Sequence, residues 1–433
     1  MGFQALDLAS VKGAGIRANF WLSSRFRLSS FRPGDSLAMR SLSRFATAIL
    51  LPFLSSTVVA EDVKIVETVQ PFVDRGNLAG AVMLVASPDK VLSLEAVGYS
   101  DVGSRIPLKT DALFWIASMN KPITSTALML LVDEGKVKLD DPVEKYLPEF
   151  KNQLRFVEKR GDEIILKKPA KPITVRNILS HTAGLVDRSP LEGKLDSISL
   201  KDGAISYGLS PLISEPGTKY KYCNPGINTA GRIIEVVSGI PYEKFLQERL
   251  FDPLAMKDTT FWPTEDQAKR LAKSYKPGPN KKGLEETEIT QLTYPLTDRK
   301  RHPYPAGGLF STAEDLGTFC RMILSGGQLD GKRYLSEKAI REMTSTQTGD
   351  LINGGKGEGG YGLGWNTSNM SKGENGPVIP GPCGHGGAYA TNMGIDPGKK
   401  LVTVWLVQHA GFPGDGDKAQ GAFHSAAVKI YGK

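Results

Sequence analysis

Two alternating apolar runs, Val82 to Ala86 and Val91 to Val97, flank a Ser-Pro-Asp turn and predict an antiparallel hairpin. Ile65 to Phe72 before them has helical spacing. After them, the apolar stretch Leu113-Phe114-Trp115-Ile116-Ala117 leads into an expected amphipathic helix through Leu128, Leu130 and Leu131 that stops at Gly135. Residues 151 to 171, rich in Lys, Arg and Glu around Glu163-Ile164-Ile165-Leu166, read as a solvated hairpin inserted at the surface. A helix capped at Thr174 runs from Ile173 to His181 and ends at Gly184, and another spans Ile227 to Val237 before Ser238-Gly239. Pro263 to Tyr304 is polar and loop-like, with Lys276 to Gly283 its least structured part. A capped helix from Thr312 towards Leu324 stops at Gly326-Gly327. The end of the chain reads as strands, Ala388 to Ile395 and Leu401 to Val407 around an Asp396-Pro397-Gly398 turn, then a helix near Phe423 to Ile430. Strands at both ends with helices between them predict one sheet made from the two termini and a helical domain inserted between, an α/β plus all-α arrangement. No internal repeat is visible.

Composition narrows the class. With 433 residues, 40% hydrophobic and 23% charged, the chain can bury more than one sub-core. Residues 1 to 60 hold seven Lys/Arg against Asp7 and Asp35, five of the eight net positive charges, so the basic balance is no argument for nucleic acid. Arg40 and Arg44, the short apolar run Phe45 to Leu54 and the small residues up to Ala60 read as an export signal (39–60), with the mature chain starting near Glu61 in the periplasm or outside the cell. An uncleaved membrane anchor is the alternative, but the run is short and broken by Pro52, so no stable membrane insertion is expected after cleavage. Residues 1–38 lack apolar periodicity and read as an unstructured or untranslated leader. Cys223, Cys320 and Cys383 allow at most one disulfide. The five histidines form no His-x-x-x-His pair and no Cys-x-x-Cys exists, so neither a metal nor another cofactor is expected.

Ser118-Met119-Asn120-Lys121 is the main candidate for chemistry. Residues three apart share a helix face, so the Lys121 amine can reach the Ser118 hydroxyl, and apolar flanks that desolvate a lysine make it a base. Ser87-Pro88-Asp89-Lys90 repeats the spacing, but inside a hairpin turn. Three further segments carry matching chemistry. Tyr222-Cys223-Asn224 offers a phenol and an amide before a helix, Gly384-His385-Gly386-Gly387-Ala388 leads into a strand and lets backbone approach a ligand, and His181-Thr182-Ala183-Gly184-Leu185 closes a helix. His181 reads as structural. Ala204-Ile205-Ser206-Tyr207-Gly208 mimics a nucleophile elbow but lacks the preceding strand.

With these motifs the chain resembles the serine β-lactamase and penicillin-binding-protein superfamily in its class C branch, nearest the β-lactamase-like carboxylesterases and D-amino-acid peptidases. The likeness runs from about Ile65 to the C-terminus and rests on Ser-x-x-Lys, Tyr-x-Asn and His-Gly-Gly in the place of Lys-Thr-Gly. It implies a DD-peptidase fold, an antiparallel sheet from both termini flanked by helices, within one hydrolase domain over 61–433, with an α/β part at about 61–150 and 305–433 and a helical part at about 151–304. It also implies Ser118 as nucleophile, Lys121 and Tyr222 sharing acid and base work, Asn224 orienting the acyl group, and the N–H groups of Ser118 and Ala388 as oxyanion hole. A phenol near cations can ionise well below its usual value of about 10 and accept a proton, which is the expectation for Tyr222. His385 stands where β-lactamases carry lysine and Gly386 where they carry a hydroxyl residue, and these with Gly387 would line the substrate. His385 is expected to offer a substrate one hydrogen bond and little charge. Pro122 biases Lys121 away from helical angles. The expected activity is an acyl-enzyme hydrolase of a small ester or amide, with a β-lactamase or D-alanyl-D-alanine peptidase, or a non-catalytic penicillin-binding sensor, as alternatives.

Overall fold

The apolar runs at the two ends of the chain pair with each other. In the computed structural model, which describes residues 64–352, 359–368, 371–372, 378–379 and 381–432, strand Gly80–Ala86 lies antiparallel to Leu401–Leu406 with Val82 opposite Leu406 and Ala86 opposite Val402. The expected leader and export signal lie outside the described residues. These two strands form the middle of an eight-stranded antiparallel sheet. On one side follow Val91–Asp101 and Ile106–Pro107. On the other follow Asn392–Asp396, Cys383–Gly386, Asn366–Ser368 and Gly359–Tyr361.

Both central strands are buried at every position, which is why they read as nearly continuous apolar runs. Side chains alternate between two cores. Met83, Val85 and Trp405 pack under the terminal helices Ile65–Asp74 and Ala419–Tyr431, with Phe423 stacked on Trp405. Val82, Leu84, Val404 and Leu406 point to the opposite core, shared with helices Ala313–Leu324 and Asn120–Asp133. Each large aliphatic side chain buried this way contributes about 1.5–3 kcal/mol. Gly317 lets its helix lie directly on Leu84, since a Cβ there would overlap that side chain.

Between the sheet-forming segments, helices Val175–Leu179, Leu200–Leu209 and Asn224–Ser238 form a second layer. Asn224–Ser238 contacts both of its companions and the helix Asn120–Asp133, joining the helical layer to the sheet layer. Thr174 closes a capping box with Asn177, Ser199 caps the second helix, and Gly239 ends the third with φ +77°.

Four expectations change. The helix after Ser118 is buried from Asn120 to Leu131, so it is a central rather than an amphipathic helix, with Tyr242 and Pro305 on Thr124 and Met343 on Thr126. The helix from Thr174 ends at Leu179, because His181 turns to φ +58°. Lys276–Gly283 is the end of a strand and the turn of a hairpin between Ser274–Pro277 and Leu284–Thr287, tied to the segment after Leu401–Leu406 by Tyr275 N–H to Gln408 O (2.8 Å) and Ala410 N–H to Tyr275 O (2.7 Å). His385 lies on a strand of its own, and Ala388 sits in the turn before the next strand, which starts only at Asn392. The three cysteines are free and buried.

The polar stretch before Tyr304 is anchored by a buried ion pair, Arg301 Nε to Asp196 at 2.7 Å, with both side chains nearly inaccessible. Asp196 also accepts from the Thr293 hydroxyl (2.7 Å), and Arg301 donates to the carbonyls of Phe261 (3.0 Å) and Leu296 (2.5 Å). Removing one partner strands the other charge in the interior. Asp196→Ala is therefore expected to lower unfolding free energy by about 3–5 kcal/mol, read from urea melts; a loss below about 1 kcal/mol would contradict this anchoring role.

Candidate active site

Ser118 sits in a short 3₁₀ turn, Ala117–Met119, that runs directly into the helix Asn120–Asp133. It is partly exposed while its neighbours on both sides are buried, so the serine is the point of this turn that solvent reaches. Ala117 holds φ +46°, a left-handed conformation costly for a residue with a Cβ, and this bend aims the next side chain outwards. Pro122 is the third residue of the helix, where the backbone N–H has no helical partner in any case, so it does not displace Lys121.

Lys121 is fully buried, and its Nζ lies 3.0 Å from Ser118 Oγ. It also donates to the Ala306 carbonyl at 2.7 Å. Burial brings its pKa down from the usual range to about 7, so a large fraction of the amine is neutral in neutral solution. One N–H then bonds Ala306 while the lone pair is available to the Ser118 proton. The acceptor is itself held in place. Asn228 Oδ1 accepts the Ala306 N–H (3.1 Å), Asn120 and Thr124 bond the Pro305 carbonyl (2.7 and 2.8 Å), and Asn228 Nδ2 donates to the Tyr207 hydroxyl (3.1 Å), which donates to Glu192.

An aromatic cluster forms one wall. The Tyr222 ring has Lys121 Nζ 4.8 Å from its centroid and the His181 ring at 4.4 Å, and Tyr361 packs on His181 at 4.6 Å. Tyr222 leaves 39% of its surface exposed, yet burial around its hydroxyl pushes the phenol above its ordinary pKa, and the nearby Ser118 hydroxyl offsets this only in part. The expectation of an ionised phenol is therefore not met; the ionisable group poised near neutrality is the lysine. His385 also departs from expectation. Its Nδ1–H donates to the Gly386 carbonyl (2.7 Å) and its Nε2 accepts from the Tyr361 hydroxyl (3.1 Å), so both ring nitrogens are engaged inside the protein and the ring itself is buried. Burial and the Lys121 charge take its pKa down to about 3. It is a neutral strut with no hydrogen bond left to give a substrate.

The His-Gly-Gly strand end approaches the serine turn closely. A Cβ on Gly387 would overlap both Thr391 Oγ1 and the Ile116 carbonyl, so only glycine allows this contact. Ala388 follows immediately and is exposed. Among the described residues no protein acceptor takes the N–H of Ser118 or of Ala388, which leaves two backbone donors at the floor of the site. Asn224 opens its helix, and its amide lies beside the Tyr304 phenol; no hydrogen bond joins it to Ser118 or Lys121 among the described residues. Ser206 lies within the helix Leu200–Leu209 and bonds Ser189 (2.5 Å), with no base beside it. No group of three or more His, Cys, Asp or Glu converges as metal ligands would among the described residues.

His181, Tyr361, Ala306 and Asn228 also belong to the site. His181 lies in His-Thr-Ala-Gly-Leu and takes the Cys223 N–H on Nδ1 (3.2 Å), which leaves its proton on Nε2. Asn228 has the least visible signal, one amide inside an apolar helix. Asn228→Leu strips the Ala306 peptide of its acceptor and should slow fluorophosphonate labelling of Ser118 at pH 7 about 10- to 100-fold, since small displacements of a reacting group are costly. A folded variant that labels at the original rate would contradict the role assigned to this network.

The chain is 31% identical over 360 residues to protein Rv1367c of Mycobacterium tuberculosis, covering 78% of this chain and 87% of that protein. It is 28% identical over 275 residues to lovastatin esterase of Penicillium rubens, covering 60% and 67%. The solved structure of EstCE1, a hydrolase with promiscuous acyltransferase activity, superposes with a TM-score of 0.70 over 85% of this chain and 97% of that one at 23% identity, a likeness of fold. Residues 65–427 match the Beta-lactamase family, and the chain belongs to that family of serine hydrolases.

Proposed function

We propose that the protein is an acyl-enzyme hydrolase of small esters that uses Ser118 as nucleophile. The observation that carries this reading is the buried Lys121 amine, 3.0 Å from Ser118 Oγ with a pKa near 7. Neutral Lys121 takes the Ser118 proton as Oγ attacks the ester carbonyl, and the N–H groups of Ser118 and Ala388 receive the oxyanion. Tyr222, still protonated, passes a proton to the leaving alcohol and is recharged by Lys121. Water then enters the same geometry and releases the acid. Asn224, at the head of its helix, borders the acyl group.

Substrate preference follows from what stands beside Ser118. At the position where β-lactamases hold a carboxylate with lysine, His385 is neutral and spends both nitrogens internally, and Gly386 has no side chain. A charge-assisted hydrogen bond contributes roughly 1.5–3 kcal/mol, so its loss costs carboxylate-bearing substrates about 10- to 150-fold. Simple esters have no carboxylate to lose contact with. One relative bears the name of an esterase, while others are named as a penicillin-binding protein and as putative D-alanyl-D-alanine carboxypeptidases, so the choice rests on His385 and Gly386. A fluorophosphonate should label Ser118, and the protein should hydrolyse p-nitrophenyl acetate or butyrate with little cephalosporin turnover. Ser118→Ala should abolish labelling and hydrolysis together. Labelling that persists in the variant defeats the nucleophile assignment, and a higher kcat/KM for a cephalosporin than for the ester defeats the esterase reading.

A further inference from the structure

The hairpin excursion at residues 151–171 plays no part in the site, yet it concentrates two properties. It holds seven Lys/Arg against three acidic residues, a surplus of four, whereas the whole of residues 61–433 has a surplus of three. The rest of that region is thus slightly acidic. Arg155 is paired with Glu215 and Arg160 with Glu158. Among the described residues Lys151, Lys159, Lys167, Lys168 and Lys171 have no ion-pair partner.

The second property is apolar exposure. Of the fourteen exposed large hydrophobic residues among the described ones, seven fall between Leu154 and Ile213. Register puts several on one face. Phe156 pairs with Leu166 and Lys159 with Ile164 across the hairpin, two positions apart on Leu166 and Ile164, so these four share a side. Arg155 pairs in parallel with Leu212, through Phe156 N–H to Leu212 O and Leu212 N–H to Leu154 O (both 2.8 Å). Leu212 is buried on the inner side, so Leu154, Phe156 and Ile213 point outward together. Leu209, 78% exposed, adjoins this face at the end of its helix, where Gly208 lies directly on the Glu149 carbonyl.

We propose that this face docks on an anionic phospholipid surface, with Leu154, Phe156, Ile164, Leu209 and Ile213 entering the headgroup boundary and Lys159, on the same side, meeting lipid phosphates while the other unpaired lysines add to the positive field around the hairpin. Charge complementarity selects that occupant. A second copy of the chain would set Lys159 and the positive field around it against their own images across a two-fold axis, whereas an anionic bilayer meets apolar and cationic groups at once. The inference does not depend on the hydrolase reading.

The full-length chain is tested by co-sedimentation with vesicles of phosphatidylglycerol and phosphatidylcholine, and with vesicles of phosphatidylcholine alone. Residues 1–63 are common to every variant, so differences between variants report the hairpin. The protein should partition onto the anionic vesicles preferentially. Phe156→Ser with Ile164→Ser, and separately the charge reversal Lys159→Glu, should each reduce that partitioning about tenfold while p-nitrophenyl butyrate hydrolysis in solution stays unchanged. Equal partitioning of unaltered and variant chains overturns the proposal, as does equal binding to both vesicle types. So does a dimer in sedimentation velocity that the same substitutions dissociate without any lipid binding, which would identify a second copy as the occupant.

Discussion

A lysine amine taken wholly out of water beside a serine hydroxyl is the constraint on which the rest of this site depends. An ammonium is expensive to bury, and the structure meets that cost by letting the group approach neutrality rather than by pairing it with a carboxylate. A carboxylate there would hold the lysine charged and useless as a base. The acceptor provided instead is the Ala306 carbonyl, which orients the amine without adding a full charge. That explains why so much buried polar structure, from Asn120 and Thr124 to Asn228, Tyr207 and Glu192, converges on the short segment Pro305–Ala306. A loop that carries the one backbone acceptor of a buried amine found among the described residues must not drift.

Burial sets the chemistry of the lysine's neighbours as well. It keeps His385 and His181 neutral, with the Lys121 charge adding to the effect, and it keeps Tyr222 protonated. Acid and base roles thus separate by environment, a neutral amine next to an intact phenol. The sheet contributes position more than chemistry. Its Cys383–Gly386 strand brings Gly387 against the Ile116 carbonyl and so sets Ala388 next to the serine turn.

How far the sequence reveals this varies with the range of the interaction. The Ser118 and Lys121 pairing is local, three residues apart, and the apolar strands at both ends declare themselves by period and by turn residues. The roles of Tyr222 and the His-Gly-Gly segment were legible only through resemblance, because they are brought in from more than a hundred residues away. His181 stands in a segment marked by the sequence but reads there as structural, whereas Asn228 leaves little trace, since one amide among apolar neighbours has no period to mark it. Two misreadings share a cause. The helix Asn120–Asp133 seemed two-faced because Thr124, Ser125 and Thr126 are polar, but distant segments cover them, among them Tyr242 and Pro305 on Thr124 and Met343 on Thr126. Lys276–Gly283 looked unstructured because its polarity hid a pairing with the distant Gln408–Ala410 segment. Tertiary contacts override local propensity in both.

The central claim is that Lys121 is the group that titrates near neutrality. NMR of the lysine side-chain resonances of the folded protein from about pH 5 to about pH 10, assigned by comparison with a Lys121→Met variant, tests this directly. Because burial depresses its pKa, the amine should be charged below pH 7 and neutral above it, with a midpoint of about 7. The rate of Ser118 acylation should rise with pH through the same midpoint. A Lys121 midpoint near 10, like an exposed lysine, would contradict the account.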